Sequence, residues 1–315
     1  MSWKLLQVTF KILSPIHIGK RKIGNLMETR YYVPARVMWG ALTSVLGNKI
    51  ISNFRINNID ELFEKVGEFL NTHIKIGYFF IAEPQNLSYK LFYPKYEMPG
   101  KLVYGDDGLS ESEFEHRFIY SYVSTAISHD TFSASTGSLH EVEYIKDNYR
   151  VQNQIIPLYL SGYIIFDDTE YDLTLSSSNK NYKIQFIMTD RNNDKLHFKV
   201  NNKNISISLL TIGGERSYGF GQIKLTKFNI TYDFLNLNLQ KDGTISMNTG
   251  SPIPAHVIAK ENSKKEFYGE IEPLVVRNRY FQKKLDFLGL MYKPGTVLNN
   301  KKTFKINNFG IFEEV

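Results

Sequence analysis

The sequence contains no cysteine among its 315 residues and only two tryptophans. The absence of cysteine excludes a disulfide scaffold, a thiolate nucleophile, an iron–sulfur cluster and cysteine-ligated zinc. No window approaches the roughly 18 consecutive apolar residues that a membrane-spanning helix needs. The first residues alternate apolar and polar side chains, which is not the pattern of a signal peptide. We therefore expect a soluble, cytoplasmic protein without membrane contact.

Histidine is also sparse, because the chain has only seven, scattered and without an HxxxH spacing. This distribution argues against a zinc site. The one glycine-rich segment is not followed by the Gly-Lys-Ser/Thr of a Walker loop. It also lacks the glycine spacing and the following helix of a dinucleotide-binding fingerprint. We expect no metal and no cofactor.

The residues that are present favour a folded protein with a slight excess of positive charge. Hydrophobic residues make up 42% of the chain and charged residues 22%, which argues against disorder. The net charge is +6 and aromatics make up 14%. Basic residues attract phosphates and aromatic faces stack on bases. The same composition is typical of an ordinary solvated surface, so composition alone leaves nucleic-acid binding open.

The apolar pattern of the first 82 residues predicts a strand, two helices and a second strand. The first helix begins after Pro34 and is expected to stop at Gly47, and the second has Asn58 or Asp60 as its N-cap. The predicted elements are the strand Lys4–Ile12, the helices Ala35–Leu46 and Asp60–Leu70, and the strand His73–Ala82.

The remaining chain is predicted to be mostly β, with a long insertion at about 83–125 and a soft boundary near 232–236. The insertion ends in an ambiguous segment, Glu113–Ser124, where a short helix is one reading. The predicted strands are Leu139–Ile145, Pro157–Phe166, Lys183–Met188 and Lys195–Val200 (a hairpin around Asp190–Asp194), a short element at Ile205–Thr211, Gln222–Tyr232, and short strands around Val257, Leu274, Leu290 and Phe304.

This element order predicts an α+β fold with an antiparallel sheet and helices on one face. A split βαβ, ferredoxin-like (RRM-like) unit is the simplest match. We expect it to span residues 1–232, with a smaller β-rich unit over 233–315 that is a partial second ferredoxin-like unit in one reading.

The segment Gly213–Gly221, GGERSYGFG, is the strongest candidate for a binding loop. Its four glycines permit positive φ and close approach to a ligand. Arg216 supplies a planar phosphate fork, Tyr218 and Phe220 supply stacking faces, and successive backbone N–H groups can form an anion nest. The alternative reading is a glycine-rich hairpin with a solvated arginine.

Four segments of the sequence together resemble one family. IGGERSYGFGQIKL at 212–225 resembles the glycine-rich loop of the RAMP (repeat-associated mysterious protein) superfamily of CRISPR effector subunits. SPIHIGKR at Ser14–Arg21 resembles the end of that family's first strand. YYVPARVMWGAL at Tyr31–Leu42 resembles its Ile-Pro-Gly-Ser-x-x-Lys-Gly-Ala-Leu helix start. HDTFSASTGSLHEVEYI at His129–Ile145 resembles a loop and strand of type III subunits.

The sequence departs from the family pattern at two places. Ala35, Arg36 and Trp39 stand where the family often has Gly, Ser and Lys, so the positive charge has moved to Arg36. Tyr218 stands where the family's loop often has a second basic residue, which implies either a weaker phosphate contact or stacking in its place.

The resemblance implies a non-catalytic subunit of a type III interference (antiviral defence) ribonucleoprotein complex. Such a subunit would hold the 5′ handle of the CRISPR RNA and contact the large polymerase-like subunit and the backbone RAMP subunits. Exposed Tyr, Phe and Met of the insertion would supply subunit contacts. The residues expected at the RNA are His17, Lys20, Arg21, Lys22, Arg36, His129, Thr131, Phe132, Gly213, Gly214, Arg216, Ser217, Tyr218, Gly219, Phe220 and Gly221.

Two other functions stay open on the sequence. The first is a metal-independent, RAMP-type endoribonuclease that processes CRISPR RNA, with His17 or His129 as general base. In the simpler reading, His17 is a structural donor near the loop and His129 belongs to a turn. The second is a β-rich structural or carbohydrate-binding module, for which 20 tyrosines would be natural.

Overall fold

The alternating segment near the N-terminus forms strand β1 over Lys4–Ile12, with the predicted bounds. It belongs to a computed structural model that describes residues 3–56, 58–86, 88–98, 100–175, 180–187, 194–260, 265–277 and 285–315. The next elements are β2 Gly19–Ile23, β3 Leu26–Thr29, β4 Tyr32–Val33, α1 Ala35–Asn53, α2 Ile59–His73, β5 Ile74–Gln85, β6 Ser88–Leu91, β7 Pro94–Glu97, β8 Lys101–Tyr104, β9 Leu109–Ser110, α3 Glu111–Phe118 and β10 Ile119–Ser124.

The chain after residue 124 is β-rich, as predicted. Its elements are β11 His140–Ile145, β12 Asn148–Val151, β13 Gln154–Pro157, β14 Tyr159–Phe166, β15 Tyr171–Leu175, β16 Lys180–Ile187, β17 Leu196–Val200, β18 Lys203–Ile207, β19 Leu209–Thr211, a 3-10 turn at Arg216–Tyr218, β20 Gln222–Ile230, β21 Asn238–Leu239, β22 Ile245–Met247, β23 Val257–Ile258, β24 Phe267–Tyr268, β25 Ile271–Arg277, β26 Leu285–Tyr292, β27 Val297–Leu298, β28 Lys302–Ile306 and β29 Phe312–Glu314.

The largest N-terminal sheet has the strand order β19-β20-β1-β14-β5-β4, with β6 paired to β5. β14 runs antiparallel to both β1 and β5, and β20 runs antiparallel to β1. β14 and most of β5 are buried residue after residue rather than alternately, so both faces of the sheet are covered here. The mixed α+β content with an antiparallel sheet is confirmed.

The first helix is longer than predicted, because α1 continues through Gly47 to Asn53. A Cβ at Gly47 would lie 2.4 Å from a ring atom of Phe63 on α2. Gly47 therefore permits close packing of the two helices and does not stop the first one. Of the two candidate N-caps of α2, Asn58 has the role: its side chain accepts a hydrogen bond from the Glu61 backbone N–H at 3.2 Å.

A separate four-stranded sheet, β15-β16-β17-β18, lies in sequence between β14 and β20 and packs against both α1 and α2. The predicted hairpin is present as the antiparallel pair of β16 and β17. Most of its turn, residues 188–193, lies outside the described residues. The short apolar element at Ile205–Thr211 divides into the end of β18 and the strand β19.

Residues 83–125, predicted as an insertion, carry their own aromatic cluster. Phe92, Phe114 and Phe118 are fully buried, and the ring of Tyr104 stacks on that of Phe114 at 4.0 Å. The ambiguous segment Glu113–Ser124 divides into the end of α3 and the strand β10. These four aromatic residues form a core and are not available for subunit contacts, whereas Met98 and Tyr120 of the same segment are exposed.

The C-terminal strands form a seven-stranded sheet in the order β21-β22-β28-β29-β23-β26-β25. This sheet packs on the N-terminal part. A Cβ at Gly310 would lie 2.4 Å from the Cβ of Ala35 and 2.7 Å from the Ile76 carbonyl oxygen. Buried residues from both parts form one hydrophobic cluster. The domain boundary near 232–236 stays a prediction.

Candidate functional site

The glycine-rich segment is a loop that the chain after β1 holds in place. The Gly214 N–H donates to the His17 carbonyl at 2.9 Å, and the Gly221 N–H donates to the Pro15 carbonyl at 2.8 Å. The two ends of the loop are joined where the Ile212 N–H donates to the Gly221 carbonyl at 2.9 Å. The loop therefore has a fixed position beside the end of the first strand.

Two of its glycines are required by this close approach. Gly213 has φ +76°, and a Cβ there would lie 2.3 Å from the His17 carbonyl oxygen. Gly221 has φ +83°, and a Cβ there would lie 1.9 Å from the Ile212 carbonyl oxygen. Both obstacles are backbone atoms, which do not rotate away, so any side chain at either position displaces the loop.

The tip of the loop is exposed and its end is packed. Glu215 has a left-handed conformation and precedes the 3-10 turn that contains Arg216, Ser217 and Tyr218. These three residues are exposed, and Tyr218 is 68% exposed. Phe220 is half-buried, with its ring centroid 5.4 Å from that of Tyr144 and 5.7 Å from that of Tyr122. Of the two predicted stacking rings in the loop, Tyr218 is the accessible one.

The loop forms one rim of a cleft of about 580 Å³. Lys20 and the first turn of α1 line the same cleft, as does the C-terminal sheet. The lining residues are Ile18, Gly19, Lys20, Arg30, Pro34, Arg36, Val37, Gly40, Ala41, Tyr78, Thr211, Ile212, Gly213, Gly214, Arg216, His256, Leu274, Val275, Val276, Leu288, Phe309 and Ile311. The structure therefore brings Gly213, Gly214, Arg216, Lys20 and Arg36 of the predicted set to one cavity.

The opposite wall of the cleft is apolar and comes from residues that sequence reasoning did not assign to a site. Leu274, Val276 and Leu288 belong to β25 and β26, and Phe309 follows β28. The Arg36 guanidinium lies over the Phe309 ring, 5.2 Å from its centroid. Burial lowers the pKa of Arg36, and the nearby carboxylate of Asp286 opposes that shift. No local pattern in the sequence links these residues to the loop.

A chain of hydrogen bonds crosses the floor of the cleft. The Tyr78 hydroxyl donates to Nδ1 of His256 at 2.7 Å, and Nε2 of His256 donates to Glu272 at 2.7 Å. Glu272 also pairs with Arg30 at 2.9 Å, and Arg30 donates to the Tyr32 hydroxyl. Burial opposes ionisation, but the His256 hydrogen bond and the Arg30 charge lower the pKa of Glu272 to about 2. This chain connects the two sheets.

The basic cluster at 20–22 is partly neutralised by one acid. Arg21 donates to both carboxylate oxygens of Glu28, at 2.6 and 3.1 Å, and Lys20 lies 3.7 Å from the same carboxylate. Lys20, Arg21 and Lys22 lie on β2, whose residues are all exposed. Lys20 lines the cleft, whereas Arg21 and Lys22 do not.

The two histidine candidates have different surroundings. His17 is 7% exposed, and its Nδ1 lies 2.6 Å from the Glu143 carbonyl oxygen. Its carbonyl also accepts the hydrogen bond from the Gly214 N–H, so His17 anchors the loop. His129, Thr131 and Phe132 lie between β10 and β11 on an exposed loop that does not line the cleft. Phe132 is 85% exposed.

Within the described ranges, no group of three or more His, Asp or Glu side chains is arranged to hold a metal ion. Over the same part of the chain, no helix is both long enough and apolar enough to cross a membrane.

The sequence matches the family model of the RAMP superfamily over residues 9–224. This match covers more than half of the chain and includes the end of β1, both long helices and the glycine-rich loop, so the chain belongs to the RAMP superfamily. No curated protein sequence matches the chain significantly.

Two solved structures match the chain at low sequence identity. One is a chain in the cryo-EM structure of the Type III-B Cmr-beta bound to cognate target RNA and AMPPnP. It has 12% identity and a TM-score of 0.51, and the match covers 93% of this chain and 85% of that chain. Another, in Type III-B Cmr-beta bound to cognate target RNA, has 12% identity, a TM-score of 0.46, and coverage of 93% and 86%. The likeness in fold rests on the first.

Proposed function

We propose that this protein is a non-catalytic RNA-binding subunit of a type III CRISPR effector complex. It would hold the 5′ handle of the CRISPR RNA and contact the large polymerase-like subunit and the backbone RAMP subunits. Membership of the RAMP superfamily supports the general class. The fold shared with a chain of a Type III-B Cmr-beta structure bound to target RNA supports the choice of complex.

The strand order supports a ferredoxin-like reading of the first unit. Numbered along the chain, β1, β5, β14 and β20 are strands one to four, and their order in the sheet is four-one-three-two. That is the order of a split βαβ unit. The two helices follow the first strand, and the sheet β15–β18 occupies the place in the chain where a ferredoxin-like unit has its second helix.

The convergence of positive charge at one cleft carries the proposal. Arg216 on the glycine loop, Lys20 on β2 and Arg36 on α1 line the cleft from three different elements. Guanidinium and ammonium groups bind phosphates, and the loop tip at Gly219 has open space where a side chain would stand. The N–H groups of Gly214 and Gly221 donate to carbonyls of this protein, so the arginine and lysine side chains supply the phosphate contacts. The apolar opposite wall suits the face of an unstacked base.

The first test compares RNA affinity across salt concentrations for the purified protein, Arg216→Ala and Arg55→Ala. Arg55 is exposed between α1 and α2 and does not line the cleft, so it is a charge-matched control. For single-stranded RNA, the affinity falls as salt rises, and each phosphate contact that is lost makes the plot of log affinity against log salt shallower by about 0.7. We expect that reduction for Arg216→Ala alone. Equal affinities and slopes for all three proteins contradict the proposal.

The second test addresses catalysis. Repeat RNA is incubated with the protein in a chelating buffer without divalent metal. We expect the RNA to be retained and intact, and sequencing of co-purified RNA to recover a 5′ handle. Metal-independent cleavage that is lost in His17→Ala or His129→Ala would overturn the non-catalytic role and favour the endoribonuclease.

A third test concerns the partners. Co-expression with the other subunits of a type III complex should recover this chain together with the large subunit. Recovery of an assembled complex that lacks this chain contradicts the assignment of partners.

A further inference from the structure

A row of aromatic side chains lies on one face of the small sheet β10-β11-β3-β2. Tyr120 on β10 is directly opposite Tyr144 on β11, with ring centroids 6.0 Å apart. Tyr122 lies two residues along β10 on the same face, with its ring centroid 6.4 Å from that of Tyr144. Phe220 of the glycine loop packs on both Tyr122 and Tyr144. The loop and the aromatic row therefore form one continuous surface.

The two faces of this sheet differ in charge. Ser121, Glu141 and Glu143 lie on the opposite face, where the Ser121 hydroxyl donates to Glu141 at 2.5 Å and Glu143 accepts from the Thr29 backbone N–H. On the aromatic face, the register places Lys22 in the same cross-strand row as Tyr122. The register also places Glu28 and its partner Arg21 on the opposite face, which therefore carries three carboxylates and one guanidinium. The aromatic face is the less acidic of the two and is favoured by a polyanion.

Positive charge also lies at the far end of the row. The ammonium of Lys146 is 5.8 Å from the ring centroid of Tyr120 and donates to the carbonyls of His116 and Arg117 at 3.0 and 3.1 Å. Among the described residues, Glu215 lies near Tyr122 and Asp147 lies near Tyr144, and both place negative charge beside the row. Tyr120 is 62% exposed, so its ring is available to a ligand. Core rings in this protein, such as Tyr78 and Tyr163, are instead fully buried.

We propose that Tyr218, Tyr144 and Tyr120 form a stacking track for single-stranded RNA that continues from the cleft past Arg216. Bases stack on the exposed rings of Tyr218 and Tyr120 and on the open part of the half-buried Tyr144 ring. Lys146 lies beside the phosphates at the far end. The recognition is independent of sequence, because every base has a π-face and the track offers no base-specific donor set. This inference rests on the proposed function and extends it beyond the cleft.

The experiment compares oligouridines of about 4 and about 16 nucleotides, which bracket the site sizes of single-strand-binding folds. The variants are Tyr120→Leu and Tyr144→Leu, with Tyr232→Leu as the control, since Tyr232 is 90% exposed outside the track. We expect each track variant to weaken the longer RNA about fivefold or more, the factor for ~1 kcal/mol at the lower end of base–aromatic stacking. The track variants should bind the short RNA with the wild-type affinity, and Tyr120→Phe should bind the longer RNA with the wild-type affinity.

A second measurement does not depend on a variant that folds. Photo-crosslinking of RNA that carries 5-iodouridine should label peptides that contain Tyr120 or Tyr144. If crosslinks fall elsewhere and both track variants bind like wild type while Arg216→Ala weakens binding, the track is refuted and the cleft stands. If Arg216→Ala is also without effect, the proposed function fails with it.

Discussion

The glycine loop can be tested with two substitutions that share a backbone conformation and differ in one contact. Gly219 and Gly221 have φ +85° and +83°. A Cβ at Gly219 has no atom within 4 Å, whereas a Cβ at Gly221 lies 1.9 Å from the Ile212 carbonyl oxygen. Gly219→Ala therefore introduces backbone strain alone, and Gly221→Ala introduces the same strain together with a clash against fixed backbone.

The expected magnitudes follow from these contacts. A left-handed conformation costs an alanine about 1–2 kcal/mol, so we expect Gly219→Ala to destabilise by that amount. At Gly221, relief of the clash also breaks the bonds from Ile212 N–H to Gly221 and from Gly221 N–H to Pro15. Each such bond contributes about 1 kcal/mol. Gly221→Ala should then destabilise by about 3–4 kcal/mol.

Thermal unfolding measures the difference, since 1 kcal/mol shifts the midpoint by about 2–4 °C for a folding unit of about 150–250 residues. RNA affinity supplies a second readout, because only Gly221→Ala displaces Arg216. The expected result is near-normal RNA binding for Gly219→Ala and weakened binding for Gly221→Ala. Equal midpoints and equal affinities for the two variants would refute the structural role given to the loop's anchored end.

Two further predictions concern the scaffold. In α1, Gly40→Ala should stabilise the protein by up to ~1 kcal/mol through helix propensity, because a Cβ at Gly40 has no atom within 4 Å. Gly47→Ala should destabilise it by about 1–3 kcal/mol, because the new Cβ clashes with the Phe63 ring. Thermal midpoints in the reverse order would contradict the packing of α1 on α2. Because the pKa of Glu272 is lowered to about 2, its stabilisation is present above pH ~4.3 and is lost as pH falls toward 2. Glu272→Gln should remove that pH dependence and lower the free energy of unfolding at neutral pH by about 3 kcal/mol. An acid-unfolding profile identical to that of the wild type would contradict this role of Glu272.

The elements that could be predicted from sequence are those with an unbroken local pattern. β1 has the predicted bounds because apolar and polar side chains alternate from Leu6 to Ile12, and α2 follows from a single apolar face and its Asn58 cap. The end of α1 could not be predicted, because Gly47 is read locally as a stop. Its role depends on Phe63, a side chain of another helix.

The candidate site was predictable on one side only. The glycine loop, Lys20 and Arg36 carry motifs, and the structure brings them to one cleft. The apolar wall from Leu274, Leu288 and Phe309 carries none, since short β segments of ordinary composition have no local signal of what they face. The aromatic row was missed for a similar reason, because Tyr120 and Tyr144 become neighbours only through strand pairing.

Local physics therefore determined, from the sequence by itself, the α+β class, the principal strands and the chemistry of the loop, since glycine, proline and periodic apolar side chains act on their own neighbourhood. The family followed from the resemblance of four segments to known members. The tertiary structure decided which residues share a surface. Only folding brings the loop to the His17 carbonyl, joins Tyr78 to Glu272 through His256, and closes the cleft with the C-terminal sheet. Those contacts join residues far apart in the chain, and their energies depend on burial and distance that no local pattern encodes.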